Sequence, residues 1–382
     1  MTFAAFALLA AAPAEYNVTL RVDIEGRLLS GHEEVRSAGP FASQPNLRVT
    51  RKSESGGAHI FDFQAAPTRG FRWLADGAGL FTAFHCEAWM ICSPDPAARA
   101  TLKLEIILPP NSGLTATGPG QLRKHWSDSA GDHFRFETGP VQTYLFSFAV
   151  AKFTTSKSGP FTILAAGPGH AKAFETTASA AAFFREIGGV DAIPVGYTQA
   201  FTPQKGLAQE AAASALMSED YLTRLERDGD SVLLAHELAH QWWGALVGIR
   251  SWSDFWLNEG MAEFMSHAYE ERIKGRPAYD RAIAALRKQM DELRAKGSDR
   301  PLHFEKWKDA TEALGPLPYV KGALFLDRIR RELGETAFWR GIRQYTSSRA
   351  GQLVDSRDFH SAMEKSAGRS LAGLFEEEVF AK

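Results

Sequence analysis

The sequence predicts a multi-domain α+β protein in which an N-terminal antiparallel β domain is followed by a mainly helical domain. Apolar and polar residues alternate without a miss from Tyr16 to Ile24 and again through Leu102, Leu104, Ile106 and Leu108, which is the period of half-buried strands. From Ala171 onward the pattern changes to helical spacing in stretches of a dozen residues or more. The length, 382 residues with 45% hydrophobic and 23% charged, suffices for two to three domains with sizeable cores at roughly 150 residues each.

Taken in order, residues 1–14 carry an apolar run from Phe3 to Ala12 and the small-x-small string Ala12-Pro13-Ala14, the pattern of a cleavable signal peptide. Export to the periplasm or beyond is expected, with cytoplasmic residence as the alternative, because no Lys or Arg precedes the run. This segment is too short for a membrane span, and no other stretch approaches roughly 18 uncharged apolar residues. Residues 15–157 read as the β domain, closed by a strand through Tyr144, Phe146, Phe148 and Val150. Cys86 and Cys92, the two cysteines of the chain, fall inside it. On one extended segment they stand about 20 Å apart, beyond disulfide reach, so two buried thiols are expected. Lys157 to Pro160 reads as a hinge. Residues 158–382 form the second domain, with helices expected over 171–187, 231–244, 255–273, 277–296, 318–333 and 335–348 and two shorter ones after Asp355 and Ser370.

The chemistry lies in the second domain. Ser231-Val-Leu-Leu-Ala-His236-Glu237-Leu-Ala-His240-Gln-Trp-Trp-Gly244 places His-Glu-x-x-His on a helix, so both imidazoles share one face a turn apart and can converge on one ion. A catalytic zinc takes three protein ligands and leaves one position open. The third donor is Glu259, in Trp256-Leu-Asn-Glu259-Gly of the next helix, with eighteen residues intervening after His240. This pairing of helices resembles the gluzincin metallopeptidases, and HELAHQWWG followed by WLNEG is similar to the aminopeptidase N family, which includes the leukotriene hydrolases. Pro318-Tyr-Val-Lys-Gly322 matches the family's P-Y-x-K-G. Cys92-Ser-Pro-Asp-Pro-Ala-Ala-Arg-Ala-Thr-Leu and Thr143-Tyr-Leu-Phe-Ser-Phe-Ala-Val resemble stretches of its β domain, so the likeness runs from about residue 16 to the C-terminus.

The resemblance implies a thermolysin-like catalytic domain holding one Zn2+ per chain on His236, His240 and Glu259. It implies Glu237 as the base that takes a proton from the attacking water and passes it to the leaving amine. It implies Tyr319 as a hydrogen-bond donor to the oxyanion. Glu263, one turn after Glu259, has two readings: an orienting partner for a ligand histidine or a glutamate on the helix surface. Trp242, Trp243, Trp252 and Trp256 read as packing between helices, and His85, His125 and His303 as ordinary polar side chains.

Two family features are altered. The family's G-x-M-E-N segment, whose glutamate holds the substrate's α-amine, reads Gly206-Leu-Ala-Gln209-Glu210 here, so Gln209 takes the place of the glutamate and Glu210 follows one residue late. On an edge strand a shift of one residue reverses the face, so Glu210 is not expected to substitute unless the backbone bulges, and Gly206, Gln209 and Glu210 are left as an altered amine-binding segment. A second anchor falls by count on Thr82, which cannot make the same contact, with Glu87 as another source of negative charge. The chain also ends about sixty residues after Tyr319, so a short member without the family's C-terminal helical domain, and an open cleft, are expected.

The expected function is a zinc metallopeptidase, foremost an aminopeptidase on short peptides. Alternatives are a zinc hydrolase with relaxed or endopeptidase specificity and a noncatalytic peptide-binding protein. A formal charge of −2 gives no support to nucleic acid as a partner, and peptides are the expected substrates.

Overall fold

The computed structural model describes residues 13–380 apart from positions 38, 75, 76 and 308. The apolar N-terminal run over 1–12 lies outside the described residues.

The first part contains β1 (Ala14–Asp23), β2 (Leu28–Arg36), β3 (Leu47–Ser55), β4 (Ala58–Ala65), β5 (Phe71–Trp73), β6 (Leu80–Thr82), β7 (Arg99–Leu108), β8 (Thr115–Thr117), β9 (Gln121–Asp128), β10 (Gly131–Gln142) and β11 (Ala149–Ala151). They form a seven-stranded sheet in the order β3-β4-β2-β1-β7-β10-β9 and a four-stranded sheet in the order β5-β6-β11-β8. All pairs are antiparallel except β1 with β7. The alternation read in the sequence is the burial pattern: Tyr16, Val18, Leu20 and Val22 of β1 and Leu102, Leu104, Ile106 and Leu108 of β7 all enter one core. The strand expected over 144–150 is corrected. A 3-10 turn occupies Thr143–Leu145 and only Ala149–Ala151 is paired. All four apolar side chains are buried regardless, because the segment crosses between the two cores and Tyr144 reaches into the second one.

The two cysteines are also corrected. Cys86 and Cys92 are disulfide-bonded, with Cα atoms 6.2 Å apart. The extended path assumed for 86–92 does not form, because a 3-10 turn over Cys86–Ala88 folds the segment back. Phe84, with φ +55°, reverses the chain just ahead of that turn.

The second part is built on a five-stranded sheet of β12 (Thr154–Ser158), β13 (Phe161–Ala165), β14 (Tyr197–Thr202), β15 (Ala208–Ala211) and β16 (Ser214–Ser218), in the order β12-β13-β14-β16-β15. Residues 157–160, read as a hinge, are instead the last two residues of β12 and the two-residue turn of the β12–β13 hairpin. Around the sheet lie α1 (Ala171–Gly188), α2 (Glu219–Asp228), α3 (Val232–Ala239), α4 (Trp256–Lys274), α5 (Arg276–Ala295), α6 (Ala310–Ala313), α7 (Pro316–Leu333), α8 (Glu335–Ser348) and α9 (Ser356–Ala367). Trp242, Trp243 and Trp256 are fully buried among them. The two parts are bonded together: Asn258 Nδ2 donates to Tyr144 Oη at 2.7 Å, Gln142 Nε2 to the Gly244 carbonyl at 3.2 Å, and Arg99 to the Gly351 carbonyl. No helix among the described residues is long and apolar enough to cross a membrane.

Candidate zinc site

α3 and its C-cap residue supply two imidazoles, His236 and His240, whose Nε2 atoms stand 3.1 Å apart. The helix was expected to run to Gly244 but its regular part ends at Ala239. The turn that follows brings the Trp243 carbonyl back to within 3.3 Å of His240 Nδ1. His236 Nδ1 lies 3.1 Å from Glu263 Oε2. In the tautomer with its proton on Nδ1, each imidazole donates to one of these oxygens and its Nε2 presents a lone pair to the same point.

α4 packs against α3 and α7 and brings Glu259 to that point, its Oε2 3.4 Å from His236 Nε2 and 3.3 Å from His240 Nε2. Ligand atoms around a tetrahedral zinc at its usual bond lengths stand about 3.3 Å from one another, so the three donors fit one such ion. The second Glu259 oxygen and Glu237 Oε2 are buried and make no hydrogen bond, an arrangement costly for a carboxylate unless a cation or a water answers it.

Glu259, Glu263 and His267 fall on one stripe of α4 at four-residue spacing, with His267 Nε2 3.1 Å from Glu263 Oε1. Of the two readings of Glu263, the orienting partner is the one seen. Burial opposes its charge, yet His236 and His267 hold its pKa well below the usual carboxylate range.

Tyr319 enters from the first turn of α7 and stacks on His236, ring centroids 5.8 Å apart and 12° from parallel. Its approach depends on two glycines. A Cβ on Gly260 would lie 2.6 Å from Gly322 Cα, so α4 and α7 touch backbone to backbone and the Gly of each motif is what lets Tyr319 reach Glu259. Burial and the nearby Glu259, Glu210 and Glu237 push its phenol pKa far up, keeping Tyr319 a donor. Burial also raises Glu237, although both histidines oppose the shift, which moves it toward the neutral range useful to a general base.

The pocket enclosed by these groups is a cavity of about 220 Å³, walled further by Phe84, Ala208, Glu210, Val232 and Leu233. The register read from Gly206 is corrected at this point. β15 is an edge strand, and Ala208 and Glu210, two residues apart, face the cavity. Ligand oxygens of Glu210 and Glu237 and a nitrogen of His240 lie within 4.8 Å of one another. Gln209 does not line the cavity; its amide bends round and donates to Glu210 Oε2 at 3.2 Å. Gly206 sits in the turn before β15 with φ +70°. Burial and the neighbouring carboxylates Glu259 and Glu237 raise the Glu210 pKa, against the pull of His240. A cation and an ammonium group each relieve that crowding of charge.

Thr82 is buried inside β6, where its Oγ1 accepts from the Phe148 N–H at 2.8 Å, and Glu87 is taken up by His85 at 2.8 Å and Gln44 at 3.2 Å. The wall on that side is Phe84, a residue the sequence reading passed over because its left-handed turn has no sequence signal in a phenylalanine.

Residues 206–377 match the family model described as Peptidase family M1 domain. The chain is 27% identical over 327 residues to "Probable aminopeptidase 1" of Saccharolobus solfataricus, covering 78% of this chain and 41% of that protein. It is 27% identical over 307 residues to "Aminopeptidase 2, mitochondrial" of Saccharomyces cerevisiae, covering 74% and 32%. With "Aminopeptidase N" of Lactococcus lactis the identity is 26% over 313 residues, covering 75% and 36%. The chain thus spans about a third to two fifths of the length of these relatives.

Proposed function

This chain carries a peptidase family M1 domain, and from that premise we propose that it is a zinc-dependent metallopeptidase acting as an aminopeptidase on short peptides. The observation that carries the reading is the convergence, in one small cavity, of the His236–His240–Glu259 donors with Glu237, Tyr319 and Glu210.

His236, His240 and Glu259 would hold a zinc ion, which when bound would supply Lewis acidity to a water and to the scissile carbonyl. Glu237, with its raised pKa, accepts the proton of the attacking water and delivers it to the departing amine. The Tyr319 hydroxyl donates to the oxyanion that develops on the carbonyl, an interaction that counts because it strengthens in the transition state. Glu210 receives the α-ammonium of the substrate, which fixes the scissile bond one residue from the N-terminus. Val232, Leu233 and Phe84 give the cavity apolar walls. Export remains part of the proposal, supported by the apolar N-terminal sequence and by a disulfide of the kind that persists in oxidising compartments.

A second reading, relaxed specificity with cleavage inside peptides, draws on one observation: Thr82 is turned into the β core, so Glu210 carries the amine contact without a partner there. Aminoacyl and N-acetylated chromogenic peptides assayed side by side separate the two. Turnover of the free-amine series alone, lost on chelation, supports the aminopeptidase. In Glu237→Gln zinc content should stay stoichiometric while kcat falls by about 10²–10⁴-fold; undiminished turnover in the chelated protein would reject the zinc mechanism.

A further inference from the structure

Away from the zinc site, three sheets meet around a cavity of about 440 Å³, within the roughly 300–1,000 Å³ span of ligand sites. Three of its lining segments are edge strands: β8 of the four-stranded sheet, β9 of the seven-stranded sheet and β12 of the five-stranded sheet. Each is paired on one side only. From β12 the cavity receives Thr155 and Lys157, alternate residues of one face, with Thr162 of β13 beside them. Opposite them stand Leu122, half exposed, and His125, stacked on Phe134 with centroids 4.3 Å apart.

The charge of this groove is one-sided. Lys157 supplies its positive charge and His125 a hydrogen-bonding ring, no carboxylate lines it among the described residues, and Lys157 has no ionic partner there. The next basic side chains along β9 are occupied, Arg123 by Glu137 at 3.3 Å and Lys124 over the Trp126 ring at 4.6 Å. A free strand edge offers main-chain hydrogen bonds to an extended segment, and pockets for alternate side chains give such docking its selectivity.

We propose that this groove binds an extended, acidic peptide segment, which adds as a sixth strand outside β12 and directs every second side chain into the cavity. Strand periodicity then sets the pattern: residues at i and i+2 share the face of Thr155 and Lys157, so an acidic side chain there meets Lys157 and His125. The site is separate from the zinc cavity and shares no lining residue with it.

Fluorescence anisotropy on the full chain tests this with three N-acetylated, C-amidated hexapeptides labelled alike. One is Asp-Val-Asp-Thr-Asp-Val, one replaces each Asp with Lys, and one is the acidic peptide N-methylated at alternate residues. The acidic peptide should bind saturably, and the lysine and N-methylated peptides at least tenfold more weakly. Lys157→Glu, an exposed surface change, should reverse the order of the two charged peptides, and Lys157→Gln should weaken the acidic one without favouring the basic one. Equal binding of both charged peptides, no loss on N-methylation, or indifference to both Lys157 variants would overturn the proposal. Dimerisation abolished by Lys157→Glu in sedimentation would overturn it in favour of a second copy of the chain as occupant.

Discussion

Glu263 decides which nitrogen of His236 faces the metal position, since its Oε2 holds Nδ1 at 3.1 Å. Glu263→Ala should therefore weaken zinc by about 10–100-fold in chelator competition, and Glu263→Asp should recover part of that loss. Tyr319 acts later in the reaction. Tyr319→Phe should leave zinc content and KM nearly unchanged while kcat falls by about 10²–10³-fold, the usual effect of losing one oxyanion donor. Far from the site, Glu33 is fully buried in the β core, one oxygen accepting from the Ile91 N–H at 2.8 Å and the other without a partner. Burial raises its pKa well above 4.5 despite that bond. A carboxyl raised on folding binds its proton more tightly in the folded state, so its contribution is most favourable below the unfolded pKa. Stability then declines as pH rises toward the folded value, by about 1.4 kcal/mol per pH unit in that interval. Glu33→Gln should flatten this slope, and thermal melts at pH 5 and pH 8 should show the variant gaining relative to the native chain at the higher pH.

The α4–α7 crossing admits no side chain between Gly260 and Gly322, so Gly260→Ala or Gly322→Ala should cost about 1–3 kcal/mol by overpacking and depress kcat by moving Tyr319 away from His236. Cys86→Ser with Cys92→Ser should lower stability by about 2 kcal/mol on the loop-entropy account, read as a lower midpoint in denaturant. The same elements explain what the sequence made legible. His236, His240 and Glu259 were readable because a single helix fixes the first two and the ligand chemistry of zinc demands a third. α4, α7 and α8 showed their apolar faces at helical spacing. β16 did not, since all five of its residues are buried and a strand covered on both faces loses its alternation. Counting from Gly206 put Gln209 in the glutamate's place because it assumes one path through the preceding turn, whereas face depends on the strand's own pairing and Glu210 is the residue that lines the cavity. The disulfide was missed for a related reason: sequence separation gives distance only once the backbone path is known.

The whole molecule is two large cores joined at their seam by polar contacts and by a smaller apolar cluster, in which Phe81, Ala149 and Ala151 of the β region pack with Leu164, Ala200 and Leu216 of the five-stranded sheet. Tyr144 belongs to the second core though it lies in the β region, and its hydroxyl receives the hydrogen bond from Asn258, the neighbour of Glu259. A ligand that binds the folded state alone stabilises it by mass action, by about 4 kcal/mol at a thousandfold excess over Kd. Zinc removal should accordingly lower the melting temperature of the second core, and readdition restore it; a melting profile indifferent to chelator and metal would contradict a site of this kind. The bond between Cys86 and Cys92 has one more outcome. It consumes every cysteine the chain possesses, so the folded protein is silent toward maleimides. A single cysteine introduced near Phe84 or beside β12 would be its lone reactive handle, and a spin label or dye placed there would report on either cavity against a blank background.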